Sequence, residues 1–325
     1  MSPRAPLDVV VVMDPIEAIK TAKDSTFAML LEAQRRGHRL HYVRPGGLGV
    51  RETRAMATVA ALTVRDEQGA HFERGDWQPL EFGPGQVVLM RTDPPVDAAY
   101  LHDTQVLGMA QQQGALVVND PQGLRDFHEK LAALLFPPCC PQTLISRDVA
   151  QLKAFVTAQG KAVLKPLDGM GGRSIFLSQA GDPNLNVILE TLTGGGRTLA
   201  LAQRYLPEIV DGDKRILLID GKPVDYCLAR IPQGDEFRGN LAAGGRGEGR
   251  PLSERDRWIA AQVGPEMKRR GMRFVGLDVI GDYLTEVNVT SPTCARELDK
   301  QFGLNIAGQL FDAIEAGPAA DPGWA

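Results

Sequence analysis

Cysteine is scarce in this chain, and histidine is missing from its larger part. The 325 residues include four cysteines, at positions 139, 140, 227 and 294, with no C-x-x-C pair. This spacing excludes a zinc or disulfide framework, and so few cysteines fit a reducing compartment. All five histidines precede residue 130. Chemistry in the C-terminal two thirds is therefore not expected to use a Ser-His-Asp triad, a Cys-His pair or a histidine-bound zinc.

Long apolar runs and an excess of one charge are also missing. The apolar run near the start, Val9–Met13, spans five residues and is followed by Asp14, so we expect no signal peptide. No run approaches the roughly 20 apolar residues of a membrane span. The net charge of −4 argues against a nucleic-acid polymer or a membrane surface as partner. We expect a cytoplasmic protein that acts on small molecules.

Glycine, by contrast, is abundant and unevenly distributed. The chain has 35 glycines, and 15 of them fall between residues 169 and 249. Arginine outnumbers lysine by 26 to ten. The planar guanidinium suits carboxylates and phosphates, although genomic base composition accounts for the bulk of such a ratio.

Periodicity divides the chain near residue 120. Before this point, short apolar strands alternate with helices, which predicts a parallel sheet covered by helices. Residues 46–86 are less regular, and a small hairpin is the structure considered for them. After the boundary the strands are antiparallel in character, with a turn at Asp220-Gly221. Helices are expected over 25–36, 96–113, 124–135, 148–159, 253–270 and 304–315, and strands over 7–13, 39–43, 87–90, 116–118, 162–165, 199–203, 215–219, 223–230, 274–280 and 284–289.

A strand that ends in a lysine is followed by a glycine loop. Lys165 leads into the sequence Leu-Asp-Gly-Met-Gly-Gly at 167–172. Glycines let backbone N–H groups approach phosphate oxygens, and the lysine supplies positive charge. The loop matches neither the Walker A motif nor G-x-G-x-x-G. An ordinary hairpin turn is the alternative interpretation.

Two neighbouring strands each carry an acid within an apolar run. Asp278 lies between Leu277 and Val279, while Glu286 and Asn288 lie two residues apart, on one face of the next strand. Solvent exposure is the alternative, but the apolar neighbours of Asp278 argue against it, because a buried acid must be paired. Two carboxylates and an amide oxygen suit Mg²⁺ shared with nucleotide phosphates.

The segment from Arg230 to Arg250 is long and rich in glycine. No regular element is expected for it, and such loops often act as lids. The arginines at 230, 238 and 246 could close on anionic groups, whereas a surface loop with incidental charge is the alternative. Together with the lysine loop and the acids, the lid predicts phosphoryl transfer. Transfer to a carboxylate gives an acyl phosphate that an amine can attack, which is ligase chemistry.

The order of these motifs resembles the ATP-grasp ligases, and within them the bacterial glutathione synthetase family. The resemblance covers nearly the whole chain. It rests on sequence blocks at 13–15, 23–25, 91–95, 130, 165–172, 211–215, 230–234, 238–246, 276–278, 286–288 and 291–293. It implies an α/β fold of the α+β ATP-grasp type: an N-terminal Rossmann-like domain (1–122), a central ATP-grasp subdomain with the glycine loop (123–204), a C-terminal subdomain with the lid 231–249 and the metal site (205–316), and a tail (317–325).

The resemblance also implies an activity and the residues that carry it. The activity is ATP-dependent ligation of γ-glutamylcysteine with glycine through an acyl phosphate, releasing ADP and phosphate, in a homotetramer. The implied metal is Mg²⁺, with Mn²⁺ as the alternative. The implied ATP contacts are Lys130, Lys165, Gly169, Met170, Gly171, Gly172, Gln203, Arg204, Tyr205, Leu206 and Asp213. The implied metal ligands are Asp278, Glu286 and Asn288. The groups that orient carboxylates and stabilise charge are Arg215, Arg230, Arg238 and Arg246. The implied γ-glutamyl contacts are Lys23 and Asp24, and the residues near the acceptor are Ser291, Pro292, Thr293 and Arg296.

Two other functions stay open at this point. One is an ATP-grasp carboxylate–amine ligase that adds an amino acid to a different peptide or small acid; the block Lys23–Ser25 favours the glutathione-forming reaction instead. The other is a nucleotide-binding regulator without turnover, which the intact metal set disfavours.

Two positions depart from the family pattern. Arg173 follows the glycine loop, where a small residue is commoner. Cys294 stands where glycine is common; it is either a thiol sensitive to modification or a buried, inert cysteine.

Overall fold

Three β-sheets organise the chain in the computed structural model. The structure describes residues 5–169, 171–234, 236, 238–239, 241 and 244–317. The expected ATP contact Met170 and the tail beyond Gly317 lie outside the described residues. Within the described ranges, every helix is too short or too polar to span a bilayer.

The first sheet has seven strands and a parallel centre, as the alternation of strands and helices predicts. Strand β1 pairs in parallel with β2 and β6, and β6 with β7. The first helix begins at Ser25 because the Asp24 carboxylate accepts the Phe27 N–H at 2.6 Å, a standard N-cap. The elements are β1 (Asp8–Val12), α1 (Ser25–Arg35), β2 (Arg39–Val43), β3 (Leu48–Arg51), β4 (Arg54–Val64), β5 (Phe72–Glu81), β6 (Gln86–Met90), α2 (Ala98–Gln112) and β7 (Leu116–Val118).

The segment 46–86 is more regular than expected and holds more than a small hairpin. Strands β3, β4 and β5 form an antiparallel extension of the sheet, and β4 pairs with β2 at its edge. The buried side of β4 consists largely of alanine and valine, such as Ala55, Ala57 and Val59. Most of β5 is exposed and polar. Small residues on one strand and polar residues on the other weaken the alternation by which strands are recognised in a sequence.

The second sheet is antiparallel and has the order β10-β9-β11-β8. The single helix expected over 124–135 is instead two short helices, because Phe127 is extended and His128 caps the second by accepting the Lys130 N–H. Strands β8 and β10 and helix α6 were not predicted. The elements are α3 (Pro121–Asp126), α4 (Glu129–Ala133), β8 (Thr143–Ser146), α5 (Val149–Gln159), β9 (Lys161–Pro166), β10 (Phe176–Gln179), α6 (Leu185–Leu192) and β11 (Ala200–Arg204).

The third sheet is antiparallel and has the order β14-β13-β12-β15-β16. The expected turn between β12 and β13 is present, with positive φ at Asp220 and Gly221. Helix α8 was not predicted. The elements are β12 (Asp213–Ile219), β13 (Lys222–Ile231), β14 (Arg246–Pro251), α7 (Glu254–Arg269), β15 (Phe274–Ile280), β16 (Tyr283–Asn288), α8 (Ala295–Phe302) and α9 (Ile306–Glu315).

Strand β14 corrects the predicted extent of the lid. Arg246 pairs with Ile231, so the loop between β13 and β14 spans only 232–245. The glycines in β14 serve close packing rather than flexibility. A Cβ on Gly249 would lie 2.3 Å from the Phe302 ring, so α8 approaches the strand only because this position has no side chain.

The last two helices pack against the first part of the chain. Leu310 and Phe311 of α9 belong to the same buried cluster as Val9 and Phe27. Asn119, at the end of β7, donates to the carbonyls of Phe274 and Val289 at 2.8 and 2.6 Å. The first and third sheets are thereby held together.

Candidate active site

A cavity of about 340 Å³ lies between the second and third sheets. It collects most of the residues implied as functional, although they come from distant parts of the sequence. The predicted residues in its wall are Lys130, Lys165, Gly169, Gly171, Gly172, Gln203, Arg204, Tyr205, Leu206, Asp213, Arg215, Arg230, Arg238, Asp278, Glu286, Asn288, Ser291, Pro292 and Thr293.

Asp278 is buried between two arginines. Arg215 Nε lies 2.6 Å from Asp278 Oδ1, and Arg230 Nη2 lies 2.9 Å from Oδ2. Burial alone would raise the pKa of Asp278, but the charges of Arg215 and Arg230 hold it well below its usual range. Asp213 Oδ2 accepts a hydrogen bond from Arg230 Nη2 at 2.5 Å. Burial, together with the nearby negative charges of Asp278 and Glu286, nevertheless outweighs Arg230 and raises the pKa of Asp213 to about 6.

A second charged group surrounds Glu286. Lys165 Nζ lies 3.0 Å and Lys130 Nζ 3.8 Å from Glu286 Oε1. Lys130 also donates to the carbonyls of Leu167 and Gly169 at 2.9 and 3.0 Å, which ties the lysine to the glycine loop. The short helix α4 holds Lys130 against β16, so the lysine is buried.

Glu129 belongs to this group but was not identified from the sequence. It forms an ion pair with Lys130 and lines the cavity. Burial and the nearby Glu286 raise its pKa to about 7. Its position next to Lys130 was the available signal, but the expected single helix would have directed consecutive side chains to different faces.

The three implied metal ligands lie on two adjacent strands, β15 and β16. Asp278 and Glu286 are direct partners across β15 and β16. Asn288 donates its amide N–H to the Gly276 carbonyl at 3.4 Å, which leaves its amide oxygen for a cation. In the described part of the chain, no three His, Cys, Asp or Glu side chains form a metal cluster. A hard cation here therefore needs further oxygen ligands from a bound molecule.

The glycine loop and the lid meet at the cavity mouth. Gly171 and Gly172 both have positive φ, which glycine adopts without strain. Arg238 donates to the Gly172 carbonyl at 2.7 Å, and its Nε donates to Glu236 at 2.9 Å. Arg173, one of the two departures from the family pattern, also lines the cavity.

The opposite end of the cavity is largely apolar. Sequence reasoning missed the aliphatic residues there, because single aliphatic side chains look like ordinary core positions. Gln203 is only 6% exposed, and its Nε2 donates to Thr143 Oγ1 at 3.1 Å. The missed aliphatic residues are Val163, Ile175, Ile209 and Ile280.

The loop after β16 closes a further side. Ser291 Oγ donates to Asp93 Oδ1 at 2.5 Å, and buried Arg91 donates to the Pro292 carbonyl at 3.0 Å. Asp93 and Pro94 line the cavity but were not among the candidate site residues. The loop at the end of β6 thus supports the implied acceptor region.

Four of the candidate residues lie outside the cavity wall. Lys23 is exposed, and Asp24 caps α1. Arg246 begins β14, is 57% exposed and pairs with Glu248 at 2.9 Å. Arg296 forms an ion pair with Asp66 at 2.7 Å. The cavity is therefore built without these side chains.

Two protein-family models together match nearly the whole chain. Residues 7–125 match the model for the prokaryotic glutathione synthetase N-terminal domain, and residues 129–303 match that for its ATP-grasp domain. The glutathione synthetase of Xanthomonas campestris is 80% identical over 96% of this chain and 99% of its own length. That of Xylella fastidiosa (strain Temecula1) is 72% identical over 96% and 99%, and that of Salmonella typhimurium is 54% identical over 94% and 97%.

Solved structures show the same fold at much lower identity. The ATP-grasp ligase PsnB, complexed with a minimal precursor, Mg and ADP, is 18% identical, with a TM-score of 0.61 over 95% of this chain and 97% of its own. The D-cycloserine synthetase DcsG is 14% identical, with a TM-score of 0.64 over 96% and 100%. At this identity the likeness concerns the fold alone.

Proposed function

The chain belongs to the family of prokaryotic glutathione synthetases, and we propose how its cavity residues divide the work of that ligation. The reaction joins γ-glutamylcysteine to glycine while ATP is converted to ADP and phosphate. The γ-phosphoryl group passes to the cysteinyl carboxylate, giving an acyl phosphate. The glycine amine then attacks the acyl carbon, an amide bond forms, and phosphate leaves with the C–O bond electrons.

The lysines and the glycine loop bind the ATP phosphates. The convergence of Lys130 and Lys165 on Glu286 carries this assignment. The two ammonium groups reach one point from different elements, and the carbonyl bonds of Lys130 fix it beside the loop. Such preorganised charge suits a transferring phosphoryl group.

Asp278, Glu286 and Asn288 would hold Mg²⁺, with Mn²⁺ as the alternative. Their oxygen donors suit a hard cation that completes its coordination with phosphate oxygens. When bound, the cation neutralises charge on the phosphates. The lysine and arginine partners of the two carboxylates hold them ionised before any ligand arrives.

The arginines orient the reacting carboxylate and stabilise the acyl phosphate. Arg215 and Arg230 are buried and fixed by Asp278, so their remaining N–H groups need no reorganisation during the reaction. Arg238 acts from the lid. Arg246 acts only if lid closure moves it from the strand end. Ser291, Pro292 and Thr293 bound the acceptor, and Arg296 follows them in the chain. Lys23 and Asp24, just before α1, bind the γ-glutamyl end.

A coupled assay of the full chain tests the function. Phosphate release should require ATP, Mg²⁺, γ-glutamylcysteine and glycine together, and the product should be glutathione. Omission of glycine should leave at most slow hydrolysis of the acyl phosphate. Phosphate release that is independent of both amino substrates would contradict the proposed reaction.

Domain bounds, assembly and location complete the proposal. The division of the chain into domains at residues 122 and 204 is supported by the three sheets, since one sheet falls within each range.

The four cysteines are free thiols, as in a cytoplasmic enzyme. The homotetramer rests on family resemblance, and sedimentation analysis would test it. Limited proteolysis should cut first near the proposed domain boundaries or in the lid.

A further inference from the structure

Gln203 lies in a row of side chains on the cavity face of the second sheet. It is the cross-strand partner of Thr143 in β8 and of Val163 in β9. Lys165 projects from the same face of β9, two residues and about 7 Å further along. A nucleotide whose phosphates lie at Lys165 therefore has its base within reach of Gln203, beside the aliphatic wall of the cavity.

A carbonyl determines which way the Gln203 amide points. Thr143 Oγ1 lies 3.0 Å from the Pro141 carbonyl. Because a carbonyl oxygen only accepts hydrogen bonds, the Thr143 hydroxyl proton must point to Pro141. The hydroxyl oxygen is then left as an acceptor, and only the NH₂ group of Gln203 can donate to it, at 3.1 Å. The orientation of the amide follows from this chain of bonds.

The consequence is an acceptor directed away from Thr143. Among the described residues, no donor bonds Gln203 Oε1, and the atom is not among the fully enclosed polar atoms. It is an acceptor at the wall of the cavity on a side chain that is otherwise buried. A ligand that donates a hydrogen bond there is favoured, and one that presents a carbonyl oxygen is repelled.

We propose that Thr143 is a positioning residue that, through Gln203, makes the part of the cavity around Gln203 select a purine carrying a 6-amino group. The inference rests on the proposed function: with the ATP phosphates at the lysines and the glycine loop, the implied ATP contacts at 203–206 are those left for the base. Adenine carries a 6-amino group, whereas hypoxanthine and guanine carry a 6-carbonyl. Loss of the Thr143 hydroxyl frees the amide to rotate and present its NH₂ group, so either substituent can then be accommodated.

Ligation rates with three nucleotides test this role. The measured quantity is kcat/KM for ATP, for purine riboside triphosphate, which lacks the amine, and for inosine triphosphate. The wild-type chain should prefer ATP by about tenfold over the first analogue and by more over the second. Thr143→Val should reduce both preferences to about threefold or less, and Thr143→Ser should restore them.

Two further variants complete the test. Thr157→Val makes the same substitution on the exposed face of α5 and should leave the preferences unchanged. Gln203→Met removes the amide and should abolish the preference for the amine, even if Thr143→Val fails to fold. A folded Thr143→Val enzyme with the wild-type preferences would overturn the inference, as would a wild-type chain indifferent to the amine. If the wild-type chain makes no glutathione with ATP, the proposed function itself fails.

Discussion

Arg215 and Asp278 face each other across two adjacent strands as a bidentate ion pair. Arg215 Nε and Nη2 lie 2.6 and 3.1 Å from the two carboxylate oxygens of Asp278, and the residues are direct partners in β12 and β15. Both side chains are buried. A buried pair of this kind contributes little net stability, but loss of either partner leaves the other charge buried and unpaired. Its value lies in the fixed position that it gives a guanidinium at the cavity wall.

Gly276 allows this pair to form, which gives the first prediction. A Cβ at Gly276 would lie 2.9 Å from both Arg215 Cδ and Pro292 Cβ. Gly276→Ala should therefore displace the arginine or the acceptor loop, destabilise the chain by about 1–3 kcal/mol and lower kcat/KM at least about tenfold. Chemical unfolding and the coupled assay measure the two effects.

Gly49→Ala is the matched control for this substitution. Gly49 lies in β3, and a Cβ there would meet no atom within 4 Å. Its stability and activity should stay close to those of the unmodified chain. Equal effects of the two substitutions would mean that the contact with Arg215 is not responsible.

The second prediction concerns acid stability. Glu32 in α1 accepts hydrogen bonds from Arg35 and Arg36, and Arg36 also reaches Asp312 of α9 at 2.8 Å. The bonds from Arg35, and then those from Arg36, outweigh burial and lower the pKa of Glu32 from 4.5 to about 2. Since the unfolded chain takes up this proton first, the stabilisation is complete above about pH 4.5 and is lost as the pH falls towards 2.

Glu32→Gln should reveal this contribution. At pH 7 the variant should unfold with a free energy about 1–2 kcal/mol lower, a figure reduced for solvent screening because Arg35 is largely exposed. Near pH 2 the difference should disappear. Urea unfolding at several pH values measures it, with Glu67→Gln on the exposed β4–β5 connection as control. A difference that is constant with pH would contradict the electrostatic origin.

The third prediction concerns the thiols. Burial raises the pKa of Cys139 and Cys294, that of Cys140 to about 12 and that of Cys227 to about 11. Because thiolates are the reactive form, the folded chain should react slowly with a disulfide reagent at pH 8 and retain activity. All four thiols should react in denaturant.

An added surface thiol supplies the positive control. Val187 in α6 is 63% exposed, so Val187→Cys should contribute one rapidly titrating group. Cys294 lines the cavity, so rapid labelling of this thiol with loss of activity would contradict the prediction.

Local patterns in the sequence predicted four of the five strands of the third sheet, all except β14, and the parallel centre of the first sheet. Asp278 and Glu286 could be expected near each other from the sequence because one short turn joins their strands. Their direct pairing also needs a β-bulge between Asp278 and Val279, which shifts the register and which the sequence did not predict. The pairing of Lys165 with Glu286 had no such local signal, because the two residues lie on different sheets. Family resemblance brought them together, and the structure supplies the 3.0 Å contact.

Other features depend on contacts that no local pattern encodes. The Thr143–Gln203 bond joins strands 60 residues apart, and β8 itself was not predicted. The lid was predicted too long because β14 contains three polar or charged residues and two glycines in six positions. That strand is specified by its pairing with β13 and by the closeness of Phe302 to Gly249, which are tertiary effects.

The two lid arginines provide the final prediction, since the structure separates them. Arg238 bridges to the Gly172 carbonyl at the cavity, whereas Arg246 is mostly exposed and paired with Glu248. Arg238→Ala should lower kcat/KM about 100-fold, as loss of one preorganised donor does, and should release more phosphate than glutathione because the acyl phosphate meets water. Arg246→Ala should change kcat/KM by less than about threefold, since exposed ion pairs contribute little. Parallel measurement of phosphate and glutathione distinguishes the two variants. If Arg246→Ala uncouples the reaction as strongly as Arg238→Ala, lid closure must carry the end of β14 into the site.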